Sequence, residues 1–222
     1  MKCKLSCAGM IGLLLMGPAL ALAQNAPAPD TRNIQLRGDR FPPLTYDEMT
    51  PPQKAMVDHI LAGPRGSLNG PYNVLLRSPE MGDLAQQFGA AMRYQSSLPP
   101  KLNELAIIIA ARVWTAQHAW SVHKRTAIQA GLSPAICDAV AGGRRPAAMQ
   151  PDEEAIYNFA TELLNTKQVS DATFAAVKDK FGERGVVDLI GVSGYYQLVS
   201  MLLNVDRYPL PAGTAPELTP LR

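Results

Sequence analysis

From Thr50 to Asn204 apolar positions recur with the three-and-four spacing of α-helices, and only short Gly/Pro/Ser breaks interrupt them. Thr50-Pro51-Pro52-Gln53 reads as a capping box with proline at the first helical position. The helix it opens carries Met56, Val57, Ile60 and Leu61 on one face and stops at Gly63; a Gly/Pro loop runs on to Pro71. Ser78-Pro79 starts a second helix with Leu84, Phe88, Ala91 and Met92 on its apolar side. Ser97-Leu98-Pro99-Pro100 opens the most apolar segment, Leu102 to Trp114, whose scarcity of polar positions predicts a central core helix. Further helices are predicted over about 116–130, stopped by Gly131, and from Ser133-Pro134 to Gly142-Gly143. Segments 152–165, 171–181 and roughly 186–204 complete the set. No strand-like alternation or hairpin turn flanked by strand patterns is present, so the fold class is all-α.

The ends read differently. Lys2 and Lys4 precede an apolar stretch, Met10 to Leu22, broken by Gly12, Gly17 and Pro18 and closed by Ala21-Leu22-Ala23. That is the plan of a secretory signal peptide over residues 1–23, cleaved after Ala23, and it implies a periplasmic or secreted protein. Residues 24–45, rich in Pro, Asn, Gln and Arg, read as an extended arm. Residues 46–208 form the helical domain, and the Pro-rich tail 209–222 should be irregular.

Charge and cysteine usage narrow the partners. Loss of Lys2 and Lys4 leaves 19 of the 21 basic residues against 19 acidic ones. Without a basic stripe or a polybasic amphipathic segment, neither nucleic acid nor a membrane surface is an expected partner. Cys3 and Cys7 leave with the signal peptide, so Cys137 stands alone and no internal disulfide can form. Cys137 is expected to pack as a small apolar residue.

Candidate chemistry concentrates in Glu104-LAIIIAARVWTAQHAWSVH, ending at His123. A carboxyl inside so apolar a helix is either a proton-exchanging group with a raised pKa or a structural partner of Lys101 or Arg112. On one straight helix Glu104 and His123 would lie about 28 Å apart, so an acid/base pair requires the chain to turn near Trp114-Thr115. Thr115 is the expected N-cap of the following helix. His118 and His123 are separated by about 140° around a helix, poor geometry for one metal ion, and no metal site is expected. Gly191-Val192-Ser193-Gly194 is no nucleophile elbow. Among Arg77, Arg93, Arg112, Arg144 and Arg145, Arg112 is the preferred carboxylate binder because it sits in the apolar segment near Glu104. Trp114 and Trp120 either pack in the core or shape a pocket.

The run GPYNVLLRSPEMGDLAQQFGAAMRYQSSLPPKLNELAIIIAARVWTAQHAWSVH resembles carboxymuconolactone decarboxylase family proteins of the alkyl hydroperoxidase D-like superfamily. GLSPAICDAVAGGRRP, DEEAIYNFATELL and FGERGVVDLIGVSGYYQLVSMLLN share the likeness, which spans roughly residues 40–212. The resemblance implies an alkyl hydroperoxidase D-like helical bundle and a homo-oligomer, a trimer or a hexamer. In peroxidatic members a Glu precedes a Cys-x-x-Cys pair and a His; those positions fall on Glu104, Ala116, Ala119 and His123. With no sulfur at Ala116 or Ala119, thiol peroxidase chemistry is disfavoured. Decarboxylase members carry two histidines spaced like His118 and His123 and work without a cofactor by proton transfer. The resemblance therefore implies a cofactor-free lyase, decarboxylase or isomerase for a small organic acid or lactone. Glu104 and His123 would be catalytic, and His118, Arg112, Trp114 and Trp120 would bind substrate. A non-catalytic binding or assembly protein on the same scaffold is the alternative.

Overall fold

The computed structural model describes residues 34–220. The predicted signal peptide, its cleavage site, Cys3, Cys7 and arm residues 24–33 lie outside them. The described residues contain eight helices and no strand: α1 (Pro51–Ala62), α2 (Tyr72–Leu75), α3 (Pro79–Tyr94), α4 (Pro100–Val113), α5 (Gln117–Gln129), α6 (Pro134–Ala141), α7 (Pro151–Thr166) and α8 (Asp171–Asp206).

The start and stop residues act as their chemistry requires. Thr50 donates its backbone N–H to Gln53 Oε1 at 2.8 Å, and the other end of that side chain donates to the Leu76 carbonyl at 2.7 Å. α1, α3, α4, α6 and α7 all begin with proline in the first turn, where its missing N–H is not needed. α8 is interrupted at Gly182 (φ 68°, ψ −179°), which divides it into the two helical segments read from the sequence. The one-turn helix α2, just past the predicted loop, has no periodicity to announce it.

α4 is the axis of the domain. Every residue from Leu102 to Arg112 is buried, and α5, α7 and α8 pack around it. Leu102, Leu105, Ile107 and Ile108 join Trp120 from α5, Phe159 from α7 and Leu189 and Val192 from α8 in the main core. Full burial of each large apolar side chain is worth about 1.5–3 kcal/mol. A second cluster joins α1, α2 and the arm through Leu36, Met56, Val57, Ile60, Tyr72 and Leu75. By length and composition α8 is apolar enough to cross a membrane, yet half of its apolar window is buried in the molecule.

The arm and tail have no regular structure but both are tied down. The buried Asp206 carboxylate accepts the backbone N–H groups of Asp39 (3.2 Å) and Phe41 (2.9 Å). In the tail, Gln117 donates to the Leu218 carbonyl at 2.6 Å and accepts from the Glu217 and Leu218 N–H groups. Leu218 thereby enters the main core, 4% exposed.

Candidate functional site

α4 and α5 meet in a tight reversal. Trp114 caps α4, Thr115 takes a left-handed conformation (φ 50°), and Ala116 occupies the N-cap of α5 without a side-chain cap bond. The turn is where the Glu104–His123 pairing requires it, but the expected capping role of Thr115 is wrong. A β-branched residue at positive φ is strained, and its hydroxyl instead accepts a hydrogen bond from Arg112 Nη1 at 3.2 Å.

The reversal lays α5 against α4 and brings Glu104 Oε2 within 2.7 Å of His123 Nδ1. Both residues are 5% exposed. The alternative partners of Glu104 are engaged elsewhere: Lys101 pairs with Glu153 at 2.8 Å, and Arg112 Nη2 donates to the Thr219 carbonyl at 2.8 Å. The Tyr196 ring stands edge-on to His123, with centroids 4.8 Å apart. Burial holds the His123 imidazole below its ordinary pKa; the Glu104 hydrogen bond and charge oppose this, while Arg93 and Arg65 add to it.

His123 forms part of the wall of a cavity of about 380 Å³. α5 contributes His118, Ala119, Val122, His123 and Arg125; α3 contributes Arg93 and Tyr94; α8 contributes Tyr195, Tyr196, Val199 and Leu203. Arg65, Ser67, Asn69, Gly70, Pro71 and Tyr72 close one side, and Arg37 from the arm and Pro211 from the tail complete the lining. Four arginines line this space and no Asp or Glu does. Among the described residues none of the four guanidinium groups has a carboxylate within 4.0 Å. Arg65 lies over the rings of Tyr72 (5.4 Å) and Tyr94 (5.9 Å), and Arg93 lies 5.3 Å from the Tyr94 centroid. These contacts and the hydrogen bond from Arg65 Nη2 to the Gln86 carbonyl (3.3 Å) fix the guanidinium groups, and their remaining N–H groups can meet an anion. Glu104 lies behind His123 and opens onto a separate recess with Arg93, Tyr94 and Asn103.

His118 is 7% exposed, and its ring meets Tyr208 at 4.5 Å between centroids. Its pKa is lowered to about 4, chiefly by burial, with the charge of Arg37 next. Nδ1 of His118 has no hydrogen-bond partner. The tyrosines are held neutral: burial pushes the Tyr196 phenol well above its ordinary value and raises Tyr195 as well.

The other sequence candidates divide. Arg93 faces the cavity, but Arg112 does not; it pins the tail at the far end of α4. Arg77 binds the Pro42 carbonyl of the arm, and Arg145 pairs with Glu154, so neither lines the cavity. Trp120 is fully buried in the core and donates to Glu217 at 3.2 Å. Trp114, 37% exposed, borders a shallower recess that it shares with His118. Cys137 is buried on α6 away from the cavity, and burial raises its thiol to about 11. Among the described residues no three His, Cys, Asp or Glu side chains are grouped to hold a metal ion. Sequence reasoning did not assign Arg37, Arg65, Arg125, Tyr72, Tyr195 or Tyr196 to the site. The Tyr195-Tyr196 pair on an otherwise apolar helix was the available signal; the arginines gave none.

Residues 79–162, from α3 through most of α7, match the model of the carboxymuconolactone decarboxylase family. The matched segment contains Glu104, His118, His123, Arg93 and Arg125; Arg37, Arg65 and the α8 tyrosines lie outside it. No curated protein matches the chain.

Proposed function

We propose that the protein is a cofactor-free lyase or isomerase that moves a proton on a small organic acid or lactone bound in the arginine-lined cavity. The reading rests on one observation: a buried carboxyl–imidazole pair at 2.7 Å whose imidazole forms part of the wall of a cavity lined by arginine and free of carboxylates. The pair shares a proton between Nδ1 and Oε2, which leaves Nε2 as the ring nitrogen available to a ligand. Burial keeps the ring neutral near pH 7, the state in which Nε2 accepts a proton. Glu104 fixes the ring orientation and stabilises the imidazolium formed on proton transfer, as a carboxylate behind a catalytic histidine does. Arg93 and Arg65, beside that end of the cavity, hold the substrate carboxylate and the charge developing on its carbonyl.

In an isomerisation, His123 removes a proton next to the carbonyl and returns it to another carbon. In a decarboxylation, the electron pair of the breaking C–C bond passes into the conjugated carbonyl and carbon dioxide leaves. The carbon then takes a proton from a water molecule, relayed through Nε2 of His123, so that the ring ends neutral as it began and the hydroxide left over combines with carbon dioxide as bicarbonate. General acid–base transfer of this kind contributes about 10²–10⁴-fold to rate. The experiment is a turnover screen over carboxylated lactones and unsaturated acids. Wild-type protein is expected to convert at least one member and His123→Gln none; a wild type inert on every member, or conversion that survives the substitution, contradicts the reading. The alternative, a non-catalytic anion-binding protein, shares the cavity and is distinguished by binding without turnover.

Two further parts belong to the proposal. The Lys2/Lys4 start, the apolar stretch and Ala21-Leu22-Ala23 support export, and the mature chain is expected to begin at Gln24 when its mass is measured. Leu84 and Phe88 on α3 and Val187 and Ile190 on α8 are 46–70% exposed, and Phe88 and Met92 pack beside Gly191. This apolar face supports assembly of the chain with copies of itself.

A further inference from the structure

A large part of the arm's structure serves to place one side chain. Leu36 is buried in the second core, and Asp206 takes the N–H groups of Asp39 and Phe41. Asn73 donates to the Phe41 carbonyl at 2.6 Å, Arg40 donates to the Val205 carbonyl at 3.0 Å, and Arg207 pairs with Asp39 at 2.7 Å. A Cβ on Gly38 would come within 2.6 Å of Asn73 Nδ2 on α2 and of the Phe41 carbonyl and within 2.8 Å of Asp206 Oδ2 on α8, so glycine lets the chain pass this close to both helices. Anchored on both sides, Arg37 reaches the cavity. Its guanidinium lies 5.5 Å from the centroid of Tyr208, and Nη2 is 3.4 Å from Asn69 Oδ1.

Tyr208 is itself fixed. Its hydroxyl accepts the Gly70 N–H at 3.1 Å, and its ring meets His118. Arg37, backed by the Tyr208 ring, and His118 thus form one part of the cavity wall, and His123 forms another. Arg125, seven positions after His118, projects from the same stripe of α5 toward the same space.

We infer that Arg37 and Arg125 form a second anion subsite, so that the ligand carries an oxyanion, carboxylate or phosphate, remote from the atom facing His123. The arm, outside the family-matched segment, is then a specificity element of the site. The inference deepens the organic-acid reading but is tested by binding alone. A monoanion needs only the arginines beside His123; a dianion also engages Arg37 through paired N–H donors.

The test is calorimetric titration of the full chain with isophthalate, benzoate and inorganic phosphate. Wild type is expected to bind isophthalate at least about tenfold more tightly than benzoate, a ratio set by one added charge-assisted contact. Arg37→Met should abolish that preference and leave benzoate within about threefold, and Arg37→Lys should restore part of it. Phosphate binding that depends on Arg37, without an isophthalate preference, identifies phosphate as the oxyanion and supports the subsite. A preference that persists in Arg37→Met, an equal loss for all probes, or no wild-type binding of any probe overturns the inference. An Arg37-dependent preference together with no turnover of any acid or lactone overturns the catalytic reading and leaves this one standing.

Discussion

Glu104 and His123, 19 positions apart in the chain, meet at 2.7 Å because α4 reverses into α5 at Thr115. Both groups are nearly enclosed, so the cost of removing one depends on what replaces it. Glu104→Gln keeps an acceptor for the His123 N–H and should change unfolding free energy by less than about 1 kcal/mol, while lowering any turnover by at least about 100-fold. Glu104→Ala leaves a buried N–H without a partner and should destabilise by about 1–3 kcal/mol. Urea denaturation of the two variants beside wild type checks both values.

Acid should destabilise the fold through its buried histidines. His118 titrates near 4 in the folded chain, below the usual 6.5 of an unfolded histidine. Between those values the unfolded state binds a proton that the native state excludes, so stability falls as pH is lowered through the window and is fully present above it. For His118 the loss is on the order of 3 kcal/mol between pH 7 and pH 4, and His123, also shifted down, adds to it. Denaturation midpoints from pH 7 to 4 should show this slope, and His118→Phe should flatten it.

The sequence carried much of this architecture because the punctuation is chemical. Pro51, Pro79, Pro100, Pro134 and Pro151 stand in the first turns of five helices, and the apolar run after Pro100 became the central helix. Pairing Glu104 with His123 required a break near Thr115, which local propensity permits without requiring, and the chain does reverse there. What could not be read was how that break is made: a strained Thr115 is set by tertiary packing, not by capping propensity. That Arg112 does not line the cavity has a similar reason. Proximity in sequence to Glu104 put it at the far end of the same helix, where it faces the tail. The cavity arginines come from the arm, a loop, α3 and α5, and no local pattern connects positions that only the fold brings together.

Gly89 provides a packing test. A Cβ there would fall 2.0–2.5 Å from the Tyr195 ring, so α3 approaches this cavity wall only because the position is glycine. Gly89→Ala should force Tyr195 to move, destabilise the protein by about 1–3 kcal/mol and weaken ligand binding in the cavity. Thermal denaturation and titration with benzoate measure the two effects.

The exposed face of α3 and α8 makes a prediction about assembly. Leu84 is 70% and Val187 65% exposed, and a charge at either position should leave the monomer fold intact while breaking self-association. Light scattering after size exclusion should show wild type as an oligomer and Leu84→Glu and Val187→Glu at lower mass with unchanged helical circular dichroism.

The most direct measurement of the central claim is the ¹⁵N spectrum of the His123 imidazole across pH. The expected result is a neutral ring at pH 7 with the proton shared at Nδ1 toward Glu104, Nε2 responsive to a carboxylate added to the cavity, and an altered Nδ1 signal in Glu104→Gln. A ring that is already charged at pH 7, that carries its proton on Nε2, or that ignores both the added carboxylate and the Glu104 substitution contradicts it.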